Sequence, residues 1–430
     1  MKRTSAYVKA ISNRALLRLS LCAIGFCICL GAHAGTITFA PQFAFGTGPA
    51  PYGVAIADIN RDGKLDVVTA NYNTAASGAA VLLSTTSLNA STPSFAAWQG
   101  FATELDSYCI TTADINKDGA ADLIVADKAD GTLSVLLNTT AAGAGTSNFA
   151  TQQLFAVGLV GTEQTIFVIT ADINGDGKTD MIAANYAIGT ISVFLNTTTD
   201  GAATASFSSP AAFASGTGTS STGPRAVASA DMNGDGKLDV VVVNRNDNTI
   251  SVFFNTTAVG SGTPTFAAQQ IFAAGTLPVS VALADINGDS KPDVVVANVS
   301  TATISVLLNT TVTGAPVPTF GALQPFTTGI TPEFVASGDI DGDGKLDLVV
   351  ANYTDNTASV LLNTTSGGAT VPAFAAQQTF PVGLHPFAIS IADINGDGRP
   401  DLVVANVSDS TVSVLLNTTQ SDTIFADGFQ

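Results

Sequence analysis

The sequence predicts an all-β protein, a seven-bladed β-propeller of four-stranded blades, closed into a ring by an N-terminal strand that completes the last blade. Three observations predict it. A nonapeptide, D-x-N-x-D-G-x-x-D with small variations, recurs seven times, beginning at Asp58, Asp114, Asp172, Asp231, Asp285, Asp339 and Asp393. A Phe pair with five residues between its members runs in step with it: Phe39/Phe45, Phe95/Phe101, Phe149/Phe155, Phe207/Phe213, Phe266/Phe272, Phe320/Phe326 and Phe374/Phe380. Short β-branched runs stand at fixed places in every repeat. Self-similarity with a period of 54–59 residues is the mark of a blade or solenoid array.

Each repeat divides into four strands. In repeat six, residues 333–338 lead into the acidic nonapeptide and residues 346–351 leave it. Residues 358–362 form the third strand and residues 374–380 the fourth, with Gly, Ser, Thr and Asn filling the gaps. Apolar runs of five or six residues bounded by turn formers suit strands covered on both faces. Four strands per unit at this period are a propeller blade. Ring closure is legible too. The first Phe pair precedes the first nonapeptide, and the last repeat ends after its third strand near Asn417. Residues 36–43 are therefore expected to supply the missing outer strand, leaving no open edge.

Residues 1–34 read as a signal peptide. Lys2, Arg3, Lys9, Arg14 and Arg18 precede an apolar run at 19–30, and Ala32-His33-Ala34 gives the small-x-small cleavage site. The run is short of the roughly 20 residues a membrane span needs, so export without membrane insertion is expected. Cleavage would leave Cys109 as the one cysteine, read as a small buried strand residue, and would exclude an internal disulfide. It would also take the formal charge from −18 to about −23, which excludes nucleic acid and anionic membrane surfaces as partners. Residues 35–419 are the propeller, expected as a monomer, and residues 420–430 a short tail.

The repeats resemble the FG-GAP family, also called VCBS-type repeats, found in integrin α-chain propellers and many exported bacterial proteins. Phe45-Gly46-x-Gly48-x-x-Pro51 ahead of the Asp58 loop carries the resemblance, and Phe272-x-x-Gly275-x-x-Pro278, Phe326-x-x-Gly329-x-x-Pro332 and Phe380-x-x-Gly383-x-x-Pro386 repeat it. Repeat two departs, with Glu104 and Ser107 at the Gly and Pro positions, and repeats three and four carry insertions there.

Calcium prefers six to eight oxygen ligands, and a tight loop with oxygen donors at alternate positions and Gly at position six can supply them. In the first loop the expected ligands are Asp58, Asn60, Asp62, the carbonyl of Lys64, and Asp66. The same positions are Asp114, Asn116, Asp118, Ala120 and Asp122 in the second loop, and Asp172, Asn174, Asp176, Lys178 and Asp180 in the third. The fourth has Asp231, Asn233, Asp235, Lys237 and Asp239; the fifth has Asp285, Asn287, Asp289, Lys291 and Asp293. Asp339, Asp341, Asp343, Lys345 and Asp347 form the sixth, and Asp393, Asn395, Asp397, Arg399 and Asp401 the seventh. An EF-hand is excluded by the strand flanks and by the Asp at position nine. The competing reading is an Asx-rich turn without metal. These loops hold 22 of the 34 acidic residues, so the acidity is expected to belong to about seven calcium sites. The four carboxylates of the Asp339 loop should bind tightly, and Ser290 in place of Gly should weaken the Asp285 loop.

Catalytic groups are scarce. His385 is the one histidine left after cleavage, the glutamates are Glu104, Glu163 and Glu333, and no nucleophile elbow, zinc motif or phosphate loop is visible. The expectation is a secreted or cell-surface, non-enzymatic binding, adhesion or structural module with a glycan or protein ligand. The alternative is a calcium-dependent polysaccharide lyase or hydrolase on the same scaffold. Trp98 is expected in the core of an outer strand, and the recurrent Asn-Thr-Thr after the third strand is expected to be a turn signal rather than a glycosylation acceptor. Loops opposite the metal loops carry the large side chains that vary between repeats, and these are the candidate ligand contacts: Tyr52, Tyr72, Tyr108, Tyr186, Arg225, Arg245, Tyr353 and His385. The competing role for them is to cap the central channel or to pack locally.

Overall fold

The computed structural model describes residues 35–72, 76–158, 164–217 and 223–419; the expected signal peptide, the tail and Glu163 lie outside them. The described residues form seven four-stranded antiparallel sheets and no helix. In the first blade the strands run outward as β2 (Pro51–Ala57), β3 (Asp66–Asn71), β4 (Ala79–Leu82) and β5 (Gln99–Phe101). The innermost strands of the next blades are β6 (Ser107–Ala113), β10 (Thr165–Ala171), β14 (Pro224–Ala230), β18 (Pro278–Ala284), β22 (Pro332–Gly338) and β26 (Pro386–Ala392). Each packs beside the next, and β26 beside β2, so they encircle a central channel.

The second strand of every blade is buried at all six positions, which explains runs such as DVVVVN and DLVVAN. Both of its faces meet a neighbouring blade, so consecutive rather than alternate residues must be apolar. The core consists of layers between blades. Val68, Ala70 and Val81 of blade one, for instance, pack with Ile110, Leu123 and Val125 of blade two.

The ring closes through the N-terminal segment. In the last blade, β26 is followed by β27 (Asp401–Asn406), β28 (Thr411–Leu415) and then β1 (Phe43–Gly46), which pairs antiparallel with β28 from Phe43↔Val414 to Gly46↔Thr411. The regular strand thus begins where the expected segment of residues 36–43 ends, sharing only Phe43 with it, and Phe39 makes only an isolated bridge to Asn417. Outer strands elsewhere divide the same way. In blade six Phe374 bridges Asn363, and β25 (Gln378–Pro381) starts four residues later. Between them Gln377 turns inward to accept the Ser359 hydroxyl at 2.6 Å.

This division gives the two Phe of each pair different partners. The second Phe of one outer strand meets the first Phe of the next, with ring centroids 4.8–4.9 Å apart and planes at 70–85°. Seven edge-to-face contacts, a favourable arrangement of aromatic quadrupoles, therefore girdle the ring. Two of them, Phe39 on Phe380 and Phe45 on Phe95, are supplied by the closing segment.

Asn138, Asn196, Asn255, Asn309, Asn363 and Asn417, the Asn of Asn-Thr-Thr, are all buried. Asn138 Nδ2 donates to the Ile59 carbonyl of the preceding blade and to Ala121 of its own, while its Oδ1 accepts the Thr140 N–H. The others repeat the cross-blade bond to Ile115, Ile173, Met232, Ile286 and Ile340. The tripeptide is a turn, as its repetition implies, and also a latch between blades. Trp98 departs from expectation: it precedes β5 and is 39 % exposed. Cys109, on β6, is half-buried with its thiol toward the Val168 carbonyl, and burial pushes its pKa up to about 11, which leaves an unreactive thiol.

Candidate metal loops and channel-mouth site

The seven acidic loops join the first and second strands of the blades, so all emerge at one end of the ring. Their local geometry repeats. Asp58 Oδ1 and Oδ2 accept the Asp62 and Gly63 N–H groups at 3.0 and 2.8 Å, and Asp62 Oδ1 accepts the Lys64 N–H. Such closure demands a left-handed residue at position six, where Gly63 has φ +84°. Ser290 takes the same region at φ +65°, at a steric cost that glycine avoids.

The position-nine aspartate opens the second strand and is fully buried in the first loop, where Asp66 Oδ2 accepts the Ile59 N–H and Oδ1 the Ser84 N–H. Burial, against the pull of those N–H groups, pushes these carboxyls up: Asp66, Asp180, Asp239 and Asp293 to about 6, Asp122, Asp347 and Asp401 to about 7. The neighbouring aspartates raise them further. At position three, Asn60 donates its amide to the Ala144 carbonyl of the next blade, and the same cross-blade bond is made by Asn116, Asn174, Asn287 and Asn395. Asp341 stands there in the sixth loop and has no proton to donate. Instead, oxygens of Asp339, Asp341 and Asp347 lie within 4.8 Å of one another.

Two buried oxygens in these loops, Asn60 Oδ1 and Asp339 Oδ1, have no hydrogen-bond partner. Unpaired buried acceptors are costly, and a hard divalent cation satisfies them. The oxygen-only donor set fits such an ion, most directly in the Asp339 loop. In two loops a cation of the chain competes at position five: Lys345 Nζ lies 3.3 Å from Asp343, and the Arg399 guanidinium 2.6 Å from Asp397.

The opposite end of the channel carries most of the variable side chains. Each innermost strand has a register shift around its second residue, between Pro51 and Gly53 in β2 and at the equivalent place in the other six. A bulge re-aims the residue it frees. Here the bulged residues, one per blade, are Tyr52, Tyr108, Ile166, Arg225, Val279, Glu333 and Phe387, and all line one cavity of about 370 Å³. In four blades the residue after the second strand, Lys128, Tyr186, Arg245 or Tyr353, joins the lining.

Within this mouth Tyr52 is the aromatic hub, with centroids 4.9 Å from Tyr72 and Tyr108 and 4.5 Å from Phe387. Arg225 donates to the Tyr108 hydroxyl at 2.6 Å, lies over the Tyr108 and Phe387 rings, and pairs with Glu333 at 3.6 Å. Burial raises the pKa of Tyr52 and Tyr72 and pushes Tyr108 up to about 12. Tyr186 donates to Asn246. His385 stands apart from the lining: its ring stacks on Tyr353 at 4.4 Å and its Nδ1 contacts the Ser408 hydroxyl. Seven of the eight expected contacts thus gather around the mouth, with Tyr72 packed at its edge and His385 behind Tyr353. Glu333 and Gln164 also line it but were not singled out in the sequence. The position after the repeat's Pro is the signal that finds Glu333.

A family model described as FG-GAP-like repeat matches residues 27–69, 114–183, 172–242, 231–296 and 339–404, well over half of the chain. The chain belongs to the FG-GAP-like repeat family. No curated protein matches it. Among solved structures this FG-GAP propeller is similar to virginiamycin B lyase from Staphylococcus aureus, at 12 % identity and TM-score 0.55, over 88 % of this chain and 99 % of that one. It is equally similar to BBS1N in complex with ARL6DN from mercury-soaked crystals, at 12 % identity and TM-score 0.55, over 88 % and 96 % of the two chains. At this identity the likeness is one of fold.

The FG-GAP signature residues have separable tasks. Phe45 belongs to the aromatic girdle. Gly48 faces Asn71, the last residue of β3, so closely that a Cβ would lie 2.2 Å from Asn71 Nδ2. Repeat two replaces this packing by a polar cluster, in which Ser107 and Ser134 donate to the buried Asp127 at 3.0 and 2.6 Å.

Proposed function

We propose that this FG-GAP propeller is an exported, calcium-stabilised binding or adhesion module that takes a glycan or protein ligand at the channel mouth, opposite the metal loops. The observation that carries the reading is the mouth itself: seven bulged residues, one from each blade, aimed into one recess, with aromatic and arginine side chains of the kind that anchor ligands. About seven calcium ions would suit the acidic loops, each supplying a cation beside a buried position-nine carboxylate. A lyase or hydrolase on this scaffold would need a group that takes a proton near neutral pH. The mouth's tyrosines are pushed toward the protonated form, its described carboxylate Glu333 is raised by burial but paired with Arg225, and His385 sits behind Tyr353, so we favour binding.

Retention of the mature protein on an array of glycans and matrix proteins, with calcium and then with chelator, tests this. Tyr72→Ala combined with Arg245→Ala should abolish retention while calcium content stays the same and the melting temperature moves by no more than about 2 °C, as surface changes usually do. Retention that survives this pair but is lost on changing the metal-loop face would place the ligand at the other end. Cleaved or unsaturated glycan products would make the protein an enzyme.

A further inference from the structure

Resting on the reading of the mouth as the ligand site, we infer that it selects a small organic carboxylate, anchored by Arg245 and Lys128. The described lining is rich in donors and poor in free acceptors. Its one carboxylate, Glu333, is engaged by Arg225, and both side chains are largely buried, 15 % and 11 % exposed. Arg225 also holds Tyr108, so this pair is an internal, neutral element of the wall. Two cations remain. Among the described residues Arg245 and Lys128 make no ion pair. Lys128 Nζ rests 5.6 and 5.5 Å from the ring centres of Tyr72 and Tyr108. The field of Arg245 reaches Glu333, so it acts on the same recess.

The tyrosines add to this bias. Burial keeps the Tyr52 and Tyr108 hydroxyls protonated, and a protonated hydroxyl can donate to an anion. One nearby acid acts on the mouth, since the Asp106 charge raises the pKa of Tyr52 and Tyr72; Asp130 accepts the Leu105 N–H and Asp247 the Thr217 N–H. Arg225, Arg245 and Lys128 still outnumber Glu333 and Asp106. A cationic recess in a chain of formal charge −18 focuses anions where the rest of the surface repels them.

The geometry favours a carboxylate over a phosphate. Phosphate sites gather free backbone N–H groups into a nest. Here the N–H groups of Tyr72, Lys128, Tyr186, Arg245 and Tyr353 already donate to Ala50, Asp106, Gln164, Gly223 and Thr331 carbonyls. Side-chain donors remain; a guanidinium can fork onto two oxygens of either anion, so it is the lack of free backbone N–H groups that disfavours phosphate. The cavity, about 370 Å³, is at the small-molecule scale of roughly 300–1,000 Å³. Its Tyr52, Phe387 and Tyr353 walls suit a ligand with a flat face.

Calorimetric titration of the calcium-loaded protein tests the inference. The probes are 4-hydroxyphenylacetate and D-glucuronate, their neutral counterparts 4-hydroxyphenylacetamide and D-glucose, and inorganic phosphate. At least one carboxylate should bind, its counterpart should bind roughly tenfold more weakly or not at all, and Arg245→Gln or Lys128→Gln should each weaken the carboxylate roughly tenfold. Which acid binds identifies the body as aryl or sugar. Equal binding of the neutral counterpart, tighter binding of phosphate, indifference to both variants, or no binding by any probe overturns the inference. An array ligand that is lost with Tyr72→Ala and Arg245→Ala but is indifferent to Lys128→Gln would leave the mouth as the ligand site and remove only the carboxylate.

Discussion

Chelation of the purified protein should lower its melting temperature by roughly 4–12 °C. Each occupied loop contributes RT ln(1 + [Ca]/Kd), which at millimolar calcium and affinities of about 10⁻⁴–10⁻³ M is roughly 0.4–1.4 kcal/mol per site. Seven loops then supply roughly 3–10 kcal/mol, and an unfolding entropy of about 2 cal/mol/K per residue converts this to the stated shift. Metal analysis of dialysed protein should return seven ions per chain, or six if the Asp285 loop with its strained Ser290 stays empty. Two or fewer would remove calcium from the account.

The same loops fix the sign of the pH dependence. Metal-free, the position-nine aspartates have folded pKa values of about 6–7, above the unfolded value of about 3.9. A raised folded pKa gives stability that is present in acid and lost as pH rises through the folded value. Chelated protein should therefore melt higher at pH 5 than at pH 8. Asp127, pushed up to about 7 outside the loops, adds a contribution of the same sign with or without metal. Calcium binds the ionised carboxylates, so the increment in melting temperature that it produces should be larger at pH 8 than at pH 5. An increment independent of pH would mean that these carboxylates do not hold the ion.

Deleting residues 36–45 should be more damaging still. It removes Phe39 and Phe45, and with them two of the seven edge-to-face contacts of the girdle. It also strips most of β1 from β28, exposing the edge of Thr411–Leu415. Loss of a large aromatic from a packed site typically costs about 3–5 kcal/mol, so the pair approaches the roughly 5–15 kcal/mol that keeps most domains folded. The bared edge is a template for a second chain. Light scattering after size exclusion should find unfolded or self-associated protein. A monomer with an unchanged melt would contradict the closure.

The blade count and the strand order were legible because each is written seven times, and the closing overlap because the first Phe pair precedes the first acidic loop while the last repeat stops after its third strand. A Phe pair or a Val-rich run means little once, but in register with an acidic loop it defines a unit. What escaped the sequence depends on contacts between repeats. The break between Phe374 and β25, where Gln377 reaches Ser359, is not marked by the local pattern. The Asn-Thr-Thr turn was legible, but its bond to the preceding blade was not, because the Ile59 carbonyl lies 79 positions from Asn138. Glu333 was counted among the glutamates but not placed at the mouth, because its bulge, which depends on strand pairing, is what aims it there. Trp98 was misplaced because the outer strand begins later than its Phe spacing suggests.

The latch asparagines bear on where this gene can be expressed. Asn138, Asn196, Asn255, Asn309, Asn363 and Asn417 each stand in an N-x-T acceptor sequence, and a eukaryotic secretory pathway would meet them on the nascent chain, before any blade has formed. A glycan replaces one hydrogen of the side-chain amide. In five of the six, Nδ2 donates to two carbonyls, so a sugar there would forfeit one of those bonds and require room in a slot that has none. A chain decorated in this way could not bring its blades together. A host that leaves asparagine unmodified keeps the six latches available to the folding ring.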